Sequence, residues 1–191
     1  YNPGERLLST TTPLFALLLA ILSPILPDLH GLAIIIGAFS LAVGGLCLWD
    51  LATHPNLKFA RWVGLFFYPY FPLVASTISS ETPLYLMLCL GAIVSYRRKW
   101  YYLTALSAAL AALTRPDGVL IAVTLGLHFI WSSWAKRLPL HAWHTNLPWK
   151  AGLIYLSIGL GWVLFAWAYY GSPIPVTLFA KQQQAFIEGS I

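Results

Sequence analysis

The chain has 191 residues, of which 59% are hydrophobic and 9% charged, with a formal net charge of +5. Soluble domains carry about 25% charged residues, so this composition excludes a water-facing surface for much of the chain and points to lipid as its solvent. In a soluble protein +5 would suggest an acidic partner; here the basic residues stand in short clusters between apolar runs and read as topology signals, with no nucleic-acid partner expected.

Seven apolar runs follow in chain order: Pro13–Leu26, Gly31–Ala52, Phe59–Ile78, Pro83–Tyr96, Trp100–Leu113, Gly118–Trp134 and Trp149–Tyr170. A helical span needs roughly 20 apolar residues, and none of the runs alternates as barrel strands do. We therefore expect an all-α, polytopic transmembrane bundle in which residues 1–191 form a single membrane domain. It should contain about six spans plus one short interfacial helix, the first run, which Pro24 and Pro27 bound. Runs four and five are short, so they are expected either to tilt with local thinning or to form a hairpin packed in protein. Small residues suit close helix contact at Gly37 and Gly44 in run two and at Ala105, Ala108, Ala109 and Ala112 in run five. Cys47 and Cys89 lie mid-run and read as small buried hydrophobes, not as a disulfide or metal pair.

Six crossings after the first run divide the basic residues unevenly. Lys58, Arg61, Arg97, Arg98, Lys99, Lys136, Arg137 and Lys150 fall on one face, and Arg6, Arg115 and Lys181 on the other, which accounts for all 11. Lys and Arg concentrate in short cytoplasmic loops. The first face is therefore expected in the cytoplasm, and both ends of the chain, residues 1–11 and 171–191, are expected outside. Acids divide the other way, with Glu5, Asp28, Glu81, Asp117 and Glu188 outside and Asp50 inside.

The outer face carries the chemically capable set: Asn2, Glu5, Arg6, Glu81, Arg115, Asp117, Tyr169, Tyr170 and Lys181. Three outer turns share a form, Thr12-Pro13-Leu14, Thr82-Pro83-Leu84 and Arg115-Pro116-Asp117-Gly118. Proline suits a first helical turn and threonine an N-cap, so each should begin a helix whose positive end faces the outer boundary. Glu81 and Arg115-Pro116-Asp117 lie at the ends of neighbouring runs and should be able to meet in one cleft. Cations and carboxylates beside lipid suit a phosphorylated lipid: Arg and Lys hold the phosphate, and a carboxylate orients a hydroxyl. The plainer alternative is that these are helix-end anchors and caps, with Arg115 simply paired to Asp117 or Glu81. His141 and His144 have a metal-compatible spacing, but no acid or Cys lies near them in sequence; no metal site or cofactor is expected.

Four strings resemble the GT-C superfamily of polyprenyl-phosphate-sugar-dependent glycosyltransferases. They are Tyr1-Asn2-Pro3-Gly4-Glu5-Arg6 with Thr12-Pro13-Leu14; Glu81-Thr82-Pro83-Leu84; Leu113-Thr114-Arg115-Pro116-Asp117-Gly118; and Tyr169-Tyr170-Gly171-Ser172-Pro173-Ile174-Pro175 through Ala180-Lys181. The chain looks most like the branch with cell-wall arabinofuranosyltransferases and dolichyl-phosphate-mannose mannosyltransferases. The resemblance implies a bacterial plasma-membrane enzyme of the cell envelope that transfers a sugar from a polyprenyl-phosphate carrier to an extracytoplasmic acceptor. It implies substrate contacts at Asn2, Glu5, Glu81, Arg115, Asp117, Tyr170 and Lys181. The family's catalytic Asp precedes the Asn-Pro-Gly-Glu string, so it is expected upstream of Tyr1 in a longer protein. Pro175-Val176-Thr177 stands where the family has Pro-Asn-Thr. A second expectation is a non-catalytic transmembrane subunit, derived from such an enzyme and packed in a larger membrane complex.

Overall fold

A computed structural model describes residues 8–53, 58–135, 148–173 and 175. Every regular element among them is helical: α1 (Pro13–Leu22), α2 (Leu29–Leu51), α3 (Lys58–Phe67), α4 (Pro72–Ala75), α5 (Thr82–Arg97), α6 (Tyr101–Thr114), a 3₁₀ turn (Pro116–Gly118), α7 (Val119–Ala135) and α8 (Trp149–Tyr170). Three stretches are long and apolar enough to cross a membrane: Leu29–Leu51, Pro116–Trp134 and Trp149–Tyr170. The latter two bury little of their surface and leave Leu120, Leu127, Trp131, Leu160 and Trp167 exposed. Apolar area on that scale is stable against hydrocarbon, not water.

Among the described residues the structure does not contain six spans of full length. At about 1.5 Å per residue, α5 and α6, of 16 and 14 residues, are shorter than a bilayer core of about 30 Å. The run Phe59–Ile78, expected as one span, is broken. Pro69 and Pro72 remove two backbone donors and disfavour helical backbone at the residues before them. Phe71 accordingly turns extended, and only the single turn of α4 follows. The broken segment still runs back along α2. A Cβ on Gly64 would touch Leu48, one on Gly45 would touch Leu65, one on Gly44 the Tyr68 ring, and one on Gly37 the Ile78 carbonyl.

The α5–α6 hairpin is the centre of the bundle, with α2 packed on α5 and α8 on α6. Phe15 of α1, Ala33 of α2, Leu84 and Leu88 of α5 and Ala111 of α6 form the apolar core. Ala92, Ala108 and Ala109 are also buried, and their small volume lets backbones approach. Buried hydroxyls return to their own helices, Ser40 to the Ile36 carbonyl at 2.7 Å and Thr114 to Leu110 at 2.8 Å.

One exception is the Tyr68 hydroxyl, which is buried and has no hydrogen-bond partner among the described residues. An unsatisfied buried polar atom costs about 1–3 kcal/mol. Tyr68→Phe is therefore expected to raise stability by about 1 kcal/mol in a thermal melt of the purified protein; a clear loss of stability would mean that the hydroxyl is satisfied.

Charged contacts fasten one end of the bundle. Arg97 donates to the Leu51 carbonyl and, at 2.6 Å, to the Thr53 hydroxyl. Arg98 pairs with Asp50, whose carboxylate raises the guanidinium pKa by hydrogen bonding and then by charge. Arg61 Nε donates to the Ala52 carbonyl at 2.7 Å. The α5–α6 turn is closed by Lys99 N–H to the Tyr96 carbonyl, 3.0 Å, and Trp100 N–H to Ser95, 2.8 Å, the bonding pattern of a Schellman cap. Glycine is the usual occupant of its left-handed position; here Lys99 holds φ 60, a strain on the order of 1–3 kcal/mol.

Candidate functional site

At the other end of the hairpin, α6 stops where α5 starts, and that places Glu81 beside the turn at 115–118. The local cause is Pro116. It disfavours helical backbone at the residue before it, and Arg115 leaves α6 extended, with φ −148 and ψ 140. Gly118 then brings the 3₁₀ turn against α6, where a Cβ would strike the Ala111 carbonyl group and the Ala112 nitrogen.

The result is a three-membered charge cluster. Arg115 Nε donates to Asp117 Oδ1 at 3.2 Å, and Arg115 Nη1 lies 3.7 Å from Glu81 Oε1. The latter is an ion-pair contact, too long for a good hydrogen bond. The guanidinium carbon also sits 5.5 Å from the centre of the Tyr85 ring. Arg115, Glu81 and Asp117 side chains remain 38%, 27% and 48% exposed. A guanidinium has five N–H donors in a planar fork. Asp117 uses the Nε donor and orients the plane, while neither terminal nitrogen has a hydrogen-bond partner among the described residues. Those nitrogens are a forked donor suited to a phosphate or carboxylate.

The structure thus joins three of the residues singled out from sequence, Glu81, Arg115 and Asp117. Tyr170 ends α8, where Gly171 closes the helix at φ 76. Its ring packs on Tyr169 at 4.8 Å and on Phe165 at 6.3 Å, outside the Arg115 cluster. Asn2, Glu5 and Lys181, together with Arg6, His141 and His144, lie outside the described residues.

Tyr85 was not legible as a site residue, although it stands four positions after Glu81, the spacing that puts two side chains on one helix face. The threonine caps expected at the outer turns do not form. Pro13 and Pro83 do occupy the first turns of α1 and α5, but neither Thr12 nor Thr82 caps its helix: Thr12 bonds to Thr10, and the Ser80 hydroxyl accepts from the Thr82 N–H at 3.2 Å.

Among the described residues no three His, Cys, Asp or Glu side chains are grouped as a metal site would require. Comparison of the chain with protein-family models, curated proteins and solved structures finds no match.

Proposed function

We propose that this chain is part of the membrane domain of a glycosyltransferase that moves a sugar from a polyprenyl-phosphate carrier to an extracytoplasmic acceptor. The observation that carries this reading is Arg115, whose Nε is held by Asp117 and whose Nη1 faces Glu81, with neither terminal nitrogen hydrogen-bonded among the described residues. In this scheme the acceptor hydroxyl attacks the anomeric carbon and gives its proton to a carboxylate of the protein. The bond from that carbon to the phosphate oxygen breaks, and the departing phosphate keeps the electron pair. Arg115, and Lys181 from the segment after α8, neutralise the charge as it develops. Glu81 accepts a hydrogen bond from a sugar or acceptor hydroxyl.

The same reading includes six crossings, with the Arg61, Arg97, Arg98, Lys99 and Lys150 end in the cytoplasm of a bacterium and the Arg115 end outside. Two features favour it. The segment after α3 returns along α2 despite its prolines. The short α5–α6 pair is enclosed by α2 and α8, so it needs less contact with lipid.

A second reading, a non-catalytic subunit, is favoured by the double pairing of Arg115, which would serve equally to clamp a hairpin. The two separate in one assay. The full-length protein in liposomes is given radiolabelled polyprenyl-phosphate sugars and water-soluble acceptors, and transfer is followed by extraction. Turnover that depends on the protein supports the enzyme. No turnover with any donor, with the protein folded, leaves the subunit reading.

A further inference from the structure

Spans α7 and α8 diverge over α6 and leave a groove of about 480 Å³ between the three helices, within the roughly 300–1,000 Å³ range of ligand sites. Ala105 and Ala108 form its floor, Gly126 and Gly152 thin its walls, and Tyr101 and Trp149 stand at its mouth. Nothing lies within 4 Å of where a Cβ would sit on Gly126 or Gly152. The slot is therefore apolar along its length and edged by aromatic rings at one end.

That end is also cationic. The turn between Tyr96 and Tyr101, both lining residues, carries Lys99, whose ammonium has no partner among the described residues. Lys150 follows Trp149 and lies over its ring at 5.7 Å. The acid at this end, Asp50, is taken by Arg98, so it does not neutralise Lys99. Lys99 moreover holds the strained left-handed conformation that glycine would adopt freely.

We propose that this groove holds an acyl chain of an anionic phospholipid whose phosphate sits over Lys99 and Lys150. Basic pockets between transmembrane helices are known sites for anionic headgroups. The pairing of an apolar slot with two lysines that have no acidic partner among the described residues matches a lipid with net negative charge. A zwitterionic lipid would bring a cation of its own, and a partner helix would fill the slot but leave the lysines unmatched. The proposal does not depend on the transfer reaction.

Native mass spectrometry of the delipidated full chain, titrated with phosphatidylglycerol or phosphatidylcholine of identical chains, tests it. One phosphatidylglycerol should bind with at least about tenfold preference, since each surface lysine contributes roughly fivefold. The double variant Lys99→Gln, Lys150→Gln removes both charges while keeping flexible polar side chains, one atom shorter, and should bring the preference near unity. Gly126→Leu, built into open space, should weaken both lipids by blocking the slot. Equal binding of the two lipids by the parent, no bound lipid, or an unchanged preference in the double variant would each overturn the proposal. So would a phosphatidylglycerol complex that survives Gly126→Leu in folded protein.

Discussion

On the proposed glycosyltransferase reading, replacing Arg115 with glutamine is expected to lower the rate of sugar transfer by about 100- to 1,000-fold while the bundle stays folded. The rate estimate is the usual effect of removing one preorganised donor from a charge that develops in the transition state. Folding should hardly change. The arginine is 38% exposed and its two carboxylate partners are also open to water; exposed ion pairs contribute about 0–1 kcal/mol. Lysine at the same position retains the charge but loses the fork and the Nε donor that Asp117 orients, so Arg115→Lys should fall between parent and glutamine. Asp117→Asn keeps a hydrogen-bond acceptor for Nε and should cost less than either. Initial rates in proteoliposomes, beside circular-dichroism melts, separate these cases. Transfer at the parental rate by Arg115→Gln would remove the residue from the mechanism, and a collapse in melting temperature would make it a structural clamp.

The parts of this architecture visible in sequence are those that rest on local rules. Long apolar runs became helices because lipid permits few alternatives, and the α5–α6 hairpin followed from two short runs joined by Arg97-Arg98-Lys99. Once that hairpin forms, Glu81 and Arg115 must lie at one end, whatever their role. What escaped was decided by backbone contact and by competition. Summed hydropathy over Phe59–Ile78 does not register the two donors lost at Pro69 and Pro72, so the break into α3 and α4 was invisible. Gly37 was legible as a packing position, but not that its neighbour is the Ile78 carbonyl rather than another helix face. Thr12 had the right chemistry for a cap, and Thr10 took its hydroxyl instead. Lys99 in a glycine conformation contradicts local preference outright, and such conflicts tend to collect where a residue has work besides folding.

Gly118→Ala is expected to destabilise the protein by about 2–3 kcal/mol and to depress transfer more than the loss of folded protein explains. The added methyl would fall on the carbonyl carbon and oxygen of Ala111 and the nitrogen of Ala112. These are backbone atoms of a buried helix, so no side-chain rotation can relieve the overlap, and overpacking of this kind costs roughly 1–3 kcal/mol or more. The easier adjustment is for the 3₁₀ turn to lift away from α6. That motion carries Asp117 with it and breaks its bond to Arg115 Nε, so the guanidinium loses its orientation although neither charged residue has been altered. Gly126→Ala on α7 is the matched control: its Cβ meets open space, and alanine is favoured over glycine in a helix by about 1 kcal/mol. It should leave stability equal or higher and transfer unchanged. Equal melting temperatures for Gly118→Ala and the parent would show that the turn does not press on α6 as closely as the structure has it. A destabilised Gly118→Ala that retained full transfer per folded molecule would uncouple the turn from the site and with it the orienting role of Asp117.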